Sequence, residues 1–370
     1  MVPLKLLLGV FLPGLVSATD LASNQLCFSA VYGAYRSITF AGPPGEEYWV
    51  SLCRNPLKVG SIYASAKVHC KPGDISPGSA VLEEYCEKYA FKPLLPISKF
   101  AANLTDEKIA KLRVVDNGEI PPTEIVTTPV VISKKLYNLS LRTIVVYASE
   151  VNTRHVYGYA IIGTWCSILL LGMLYNSYNW VFFPRLRGNK GDLEDSYALT
   201  RGHSSWFLKP LHHLFSWIRT HLIIPSAFGS YHSRTIAGCD IPTRMEAVVI
   251  FCFWLITTVL CCVNYNLFPG NLYWPAQNVQ LCRYIADRTG VLSFAYLPFV
   301  WLFAGRNNIF LWATGWSFRT FSVLHRQVSI AATVLAIAHS IAYTVLYFIQ
   351  GDAAGFRAAF KEPWFYMGAV

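Results

Sequence analysis

The chain has 370 residues, 54% of them aliphatic, aromatic or cysteine and only 14% charged, against about 25% charged in an ordinary soluble domain. That excludes a wholly water-soluble protein and points to helices immersed in lipid. The net charge of +10 does not indicate nucleic acid, because the basic residues are dispersed rather than gathered on one soluble face. They serve better as markers of membrane topology.

Residues 1–18 hold one lysine, a short apolar run and small residues at Ser17 and Ala18. This is the pattern of a cleavable secretory signal; the alternative, a retained anchor, is short for a span. Export predicts an oxidising exterior for residues 19–154. That segment carries Cys27, Cys53, Cys70 and Cys86, enough for two disulfides in one of three pairings; a zinc site, the alternative, would be expected to show CxxC spacing. It also carries the glycosylation sequons Asn103-Leu104-Thr105 and Asn138-Leu139-Ser140. The expectation is a small, mixed, glycosylated extracellular domain. Within it, Ser76–Ala90 and Leu104–Leu112 read as short helices with Ser or Thr near their starts. Asp116–Gly118 and the following Pro121-Pro122 mark turns, and Leu141–Val151 (LRTIVVYASEV) reads as a strand.

Residues 155–370 are predicted to form the membrane region. Val156–Tyr175 is uncharged and apolar, a first span. Val181–Arg244 then carries eight Arg or Lys against four acids, which marks it as cytosolic; a single crossing from an exterior domain gives the same side. Inside this loop, Pro210–Ile223 places Leu211, Leu214, Phe215, Ile218 and Leu222 opposite His213, Ser216, Arg219 and Thr220. It reads as an amphipathic helix on the inner leaflet, with Pro210 in its first turn. The loop histidines (His203, His212, His213, His221, His232) read as solvated or interfacial rather than as a metal site, since adjacent His212 and His213 diverge on a helix. Ala247–Phe268 is a second span. Asn271–Arg288 reads as an external loop holding Cys282, either a partner for an ectodomain cysteine or a free thiol. Thr289–Gly305, interrupted by Pro298, is a short or kinked third span. A fourth runs over about 320–349, and a fifth starts near 364. The fold class is therefore an all-α membrane helical bundle with four spans and the start of a fifth, preceded by the small mixed domain.

The fourth span organises the rest. No charged residue lies between Arg326 and Asp352, a stretch long enough to cross about 30 Å of hydrocarbon. It holds His325 and, fourteen positions on, His339. Fourteen steps of about 100° leave a residual near 40°, so the two rings share a helix face, about 21 Å apart along the axis. A titratable residue inside a span usually faces a bundle interior or cofactor, and a neutral imidazole is an axial ligand for haem iron. The bland alternative is two buried histidines bonded to neighbouring carbonyls, or one interfacial and one structural. Each six-coordinate iron would also need a facing histidine from another helix.

The runs IPTR (Ile241–Arg244), DRTG (Asp287–Gly290) and GRNN (Gly305–Asn308), then FSVLHR and HSIAYT around the two histidines, resemble the fungal ferric reductase family, which belongs with the NADPH oxidases in one transmembrane superfamily. The resemblance covers about Val156 to the end; the order and spacing of these runs around the histidine pair carry it. It implies a plasma-membrane metalloreductase. Cytosolic NADPH would reduce FAD, and FAD would pass electrons through two haem b groups, ligated by His325 on the inner side and His339 on the outer, to extracellular ferric or cupric chelates. The chain departs from the family's HRW-x-G pattern at His325-Arg326-Gln327-Val328-Ser329, and it has no GxGxxG loop. The resemblance therefore places the second histidine-bearing helix and the FAD and NADPH domains beyond residue 370. The chain reads as a fragment or truncated product that needs this missing region or a partner chain to complete each haem site. Arg306, Arg319 and Arg326 would meet haem propionates or simply anchor the cytosolic side.

Two other readings compete. In one, the chain is a non-catalytic, membrane-anchored surface protein whose ectodomain binds a partner. In the other it is a transporter with histidines in a proton path, which fits less well because the chain shows no internal repeat and no carboxylate within its predicted spans.

Overall fold

The computed structural model describes residues 22–43, 47–121, 123–182, 209–227, 235–236 and 239–361. The predicted signal segment, most of the basic loop including His203 and His232, and the start of the fifth span lie outside the described residues. The chain divides into two compact units, one of residues up to Thr153 with Asn266–Leu281, the other of Arg154–Tyr265 with residues from Cys282 onward.

The first unit opens with helices α1 (Ser23–Ala34), α2 (Tyr48–Arg54), α3 (Pro56–His69) and α4 (Pro72–Tyr85), the last continued by a π-turn, Cys86–Ala90. Helix α3 starts where it does because Asn55 Oδ1 accepts from the backbone N–H groups of Leu57 (3.0 Å) and Lys58 (3.2 Å), with Pro56 in the first turn. Residues Lys58–Ala66 are all buried, so α3 is the central rod of this unit. Helix α4 lies against α1 at Gly78, where an added Cβ would sit 2.2 Å from that of Phe28; only glycine permits that approach. The Tyr35 hydroxyl, fully buried, meets Ser65 Oγ (2.6 Å) and the Val130 carbonyl (2.8 Å), tying α1 to α3 and to the strand that follows. Burial holds this phenol well above its ordinary range.

The four cysteines pair as Cys27–Cys70 and Cys53–Cys86. Closing loops of 43 and 33 residues, each crosslink stabilises by about 4 kcal/mol on a chain-entropy estimate. Cys282 is not paired with any of them; its thiol donates to the Ala342 carbonyl at 3.2 Å. Short strands β1 (Thr39–Phe40), β2 (Arg113–Val115), β3 (Ile125–Val126) and β4 (Val130–Ile132) form two parallel pairs, β1–β3 and β2–β4. Between β1 and β4 also lie a 3₁₀ turn, Ile97–Asn103, and helix α5 (Asp106–Ile109). Gly118, with φ +76°, supplies the left-handed residue of the Asp116–Gly118 turn. Residues 266–281 join this unit through polar contacts. Thr143 Oγ1 accepts from Leu272 N, Glu150 Oε1 accepts from Asn266 N, and the Arg36 guanidinium lies over Tyr273.

One predicted strand is overturned. Leu141–Val151 is part of helix α6 (Lys134–Phe182). Its β-branched residues suggested a strand, but the buried positions Ser140, Thr143, Ile144, Glu150 and Val151 fall at helical spacing, and packing of that stripe overrides propensity.

The second unit holds α6 from Arg154, then α7 (Lys209–Ile218) with a π-turn Arg219–Ile223, a two-residue antiparallel pair β5 (Thr235–Ile236) and β6 (Cys239–Asp240), α8 (Arg244–Cys262), α9 (Gln277–Ala304) from Cys282, α10 (Ile309–Thr314) and α11 (Phe318–Ala359). Among the described residues, α6, α8 and α11 are long and apolar enough to cross a membrane. Helix α9, 28 residues long, reaches about 42 Å; it carries Arg283, Asp287 and Arg288 in its first half and Pro298 in its second. The expected loop Asn271–Arg288 is thus helical from Gln277, and the helix that contains the predicted third span starts well before Thr289. The second span ends at Cys262 rather than Phe268.

The protein is a multi-pass, all-α helical bundle in its membrane region. Trp165, 1% exposed, packs against Phe253, Phe299 and Phe303, joining α6, α8 and α9. Helix α8 begins with a capping box in which Thr243 Oγ1 accepts from Glu246 N and Glu246 Oε2 from Thr243 N. It ends where the buried Arg288 guanidinium donates to the carbonyls of Val263 and Asn264 and lies over the Tyr265 ring.

Candidate functional site

Helix α11 has two unlike sides. Ile330, Val334, Ile337, Ile341, Val345 and Phe348 are each at least 43% exposed, whereas Phe321, Leu324, Val328, Ala332, Leu335 and Leu346 are buried. The first row suits acyl chains and the second packs on protein. His325 and His339 continue the second row: 321, 325, 328, 332, 335, 339 and 346 advance at helical spacing, and both imidazoles are partly buried.

Each ring is held in the same way. His325 Nδ1 lies 2.9 Å from the Val300 carbonyl and His339 Nδ1 2.6 Å from the Ala286 carbonyl, both on α9. A carbonyl can only accept, so Nδ1 carries the proton in each ring and Nε2 keeps its lone pair. That is the tautomer an axial ligand requires, and a hydrogen bond from the other nitrogen raises ligand basicity. The repeated arrangement includes the bland expectation, bonding to carbonyls, and leaves Nε2 of each ring with its lone pair.

Gly290 explains how α9 comes close enough. A Cβ there would lie 2.5 Å from His339 Nδ1 and 2.8 Å from Cε1, so any side chain would displace the ring. Beside it, Asp287 accepts from Arg154 Nη1, from Arg283 Nε (3.2 Å) and from the Tyr343 hydroxyl. The Tyr343 ring in turn packs edge-on to His339 at 4.9 Å. A carboxylate on α9 therefore joins α6, α9 and α11 next to the His339 ring. In the sequence DRTG carries only a resemblance, and Asp287 falls within the expected loop Asn271–Arg288. The available signal was Arg283 and Asp287 four apart, one turn before an apolar run.

Around His325, Gln327 occupies the position where the HRW-x-G pattern has tryptophan, and its Oε1 accepts from the Trp254 indole N–H at 2.9 Å. Ser329 occupies the glycine position, and its hydroxyl is buried with no hydrogen-bond partner, one turn beyond His325 on the same side. Arg319 donates to the Ile241 carbonyl at 2.8 Å, so one of the three candidate propionate partners also serves the start of α8.

The residues present fit one wall of each of two haem sites. Their donor set is one neutral imidazole per level, and Gly290 and the orphan Ser329 hydroxyl lie beside the two rings. Among the described residues no three His, Cys, Asp or Glu side chains gather as a metal-holding group, which sets these single imidazoles apart from a protein-caged ion.

Residues 289–370 match the model of the ferric reductase like transmembrane component family. The chain is 29% identical over 227 residues to a probable ferric reductase transmembrane component of Candida albicans, covering 60% of this chain and 31% of that one. It is 28% identical over 227 residues to ferric/cupric reductase transmembrane component 1 of the same species, covering 60% and 27%. To ferric reductase transmembrane component 3 of Saccharomyces cerevisiae it is 35% identical over 135 residues, covering 35% and 19%. No solved structure matches. The chain spans less than a third of the length of these relatives. The family match begins inside DRTG and takes in all of α11 with both histidines, so this region of the chain is similar to the fungal ferric/cupric reductase transmembrane components.

Proposed function

We propose that this chain is the haem-carrying membrane part of an oxidoreductase that moves electrons outward from cytosolic NADPH, through FAD, to extracellular ferric or cupric chelates. The observation that carries the reading is the pair of imidazoles on the protein-facing row of α11, fourteen residues apart, each donating Nδ1–H to α9 and keeping Nε2 as a base. Two haem b groups held there would pass single electrons between levels about 21 Å apart along the helix axis.

The chain's own residues supply position and environment. The carbonyls of Val300 and Ala286 fix the tautomer and the ring plane. The apolar row of α11 keeps both levels in a low-dielectric layer that blocks charged carriers. Facing imidazoles and the flavin- and nicotinamide-binding machinery would come from a further segment or partner. The first unit, with its two disulfides and two sequons, lies outside the plasma membrane in this reading, and the basic stretch 181–244 lies inside.

The test is a reduced-minus-oxidised absorption spectrum of the full-length protein in membranes. A b-type spectrum is expected, and His325→Ala and His339→Ala should each remove about half of the haem. Full haem content and unchanged surface reduction of a ferric chelate in His339→Ala would refute the reading.

A further inference from the structure

Helix α7 and its π-turn carry neither of the two candidate histidines, His325 and His339, yet they are tied firmly to the end of a span. Ser226 pairs with Thr243 as an antiparallel bridge. Ala227 N donates to the Pro242 carbonyl (3.0 Å), Arg244 N to that of Pro225 (3.0 Å), and Arg244 Nη1 to that of His221 (3.3 Å). All of these contacts lie at the first residues of α8, the chain's most apolar span by mean hydropathy. The same corner meets α11, since Arg319 donates to Ile241. Residues 209–227 are thereby pinned at the level where a membrane-spanning helix begins.

What this pinned segment exposes is amphipathic. Leu214 and Trp217 are each 53% exposed and Ile224 is 56% exposed. Trp217 stacks on His221 with ring centres 5.1 Å apart, and Arg219 is exposed next to it. The stretch 209–227 contains Lys209, Arg219 and three histidines, and no acidic residue. An exposed tryptophan and leucine flanked only by bases, at the mouth of a span, suit one surface: an interface of acyl chains below and anionic headgroups above.

We propose that α7 and its π-turn bind the bilayer interface at the start of α8, seating Leu214 and Trp217 among acyl chains and recognising anionic phospholipid headgroups through Arg219 and the neighbouring bases. The contacts to Pro242, Thr243 and Arg244 make this segment a collar that fixes the depth of α8. The inference stands on α7 and α8 alone and is independent of haem.

The test places a photo-reactive benzoylphenylalanine at Leu214 in the full chain, reconstituted in nanodiscs of equal phosphatidylcholine and phosphatidylserine, with cross-links identified by mass spectrometry. Lipid adducts are expected, with phosphatidylserine favoured about fivefold, the ratio given by roughly 1 kcal/mol per surface-bound basic residue. Arg219→Glu should abolish that preference while lipid adducts persist. If that variant fails to run as a single species in gel filtration, Arg219→Gln replaces it and should lower the preference at least twofold. Cross-links to protein, the absence of adducts, or equal labelling of both lipids by the unaltered sequence would overturn the proposal.

Discussion

Replacing Asp287 by alanine should loosen three helices at once. The carboxylate is 9% exposed and answers Arg154, 18% exposed, and Arg283, 29% exposed; it also accepts from the Tyr343 hydroxyl. Its removal leaves two guanidiniums facing each other with no counter-charge and orphans the phenol. Removing one partner of a buried pair costs about 3–5 kcal/mol. Because Arg283 retains access to solvent, the low end applies, about 3 kcal/mol. For a unit of this size that lowers the unfolding midpoint by about 6–12 °C, measurable by intrinsic fluorescence in nanodiscs. The double variant Asp287→Ala with Arg154→Met should recover at least 1 kcal/mol relative to the sum of the single changes, since one stranded charge goes with its partner. A midpoint within about 1 °C of the unaltered protein, or strict additivity, would show that the cluster does not hold the helices together.

Other expectations follow from particular contacts. Gly290→Ala pushes a methyl group into the His339 ring; overpacking of about 1–3 kcal/mol should appear as a lowered midpoint and, if His339 ligates haem, a shifted spectrum of one haem only. A variant with the unaltered protein's stability would contradict the 2.5 Å approach. Asn103 and Asn138 are both exposed, but Asn103 ends a 3₁₀ turn whereas Asn138 lies inside α6 with Ser140 of its sequon 1% exposed; glycan removal should therefore shift a product whose sugar is lost in Asn103→Gln, and loss of the whole shift in Asn138→Gln would reverse that assignment. Asp116 and Glu119 are held below their ordinary carboxylate range, first by the backbone N–H groups of Asn117 and Asp116 and then by Ser133 and Arg113. A depressed carboxylate favours the fold while ionised, so this contribution is complete above about pH 4.5 and disappears as pH falls through the lowered values. Amide exchange across β2 and the Asp116–Gly118 turn should accelerate relative to α3 as pH falls below the ordinary carboxylate range, after correction for intrinsic rates; uniform acceleration would contradict it.

Which parts of this architecture were legible beforehand follows from how local the physics is. The histidine pair could be placed on one face from spacing alone, because a span must be helical and its period is fixed. Likewise, the three tetrapeptide runs could be recognised but not understood, since their work is done by contacts between distant residues. IPTR caps α8 with Thr243 and offers the Pro242 carbonyl to Ala227. DRTG supplies Asp287 to two arginines, Arg288 to the end of α8 and Gly290 as space for His339. In GRNN, Asn308 Oδ1 accepts from Leu311 N to start α10, while its amide donates back to the carbonyls of Leu302 and Gly305. The misread strand failed for the converse reason: Val145 and Val146 carry β propensity, but the buried stripe through Ser140, Ile144 and Val151 decides.

The same contrast bears on why the chain departs from HRW-x-G without losing the arrangement at His325. A tryptophan at 327 would press an indole toward α8; here the indole comes from α8 instead, as Trp254, and Gln327 accepts its N–H. This one hydrogen bond ties α11 to α8 two residues beyond His325. Gln327→Leu should then strand the Trp254 N–H at a cost of about 1–3 kcal/mol, whereas Gln327→Trp without a change at Trp254 should crowd two indoles into one gap and destabilise further. If Gln327→Leu proves neutral in thermal unfolding, this hydrogen bond does not hold α11 to α8.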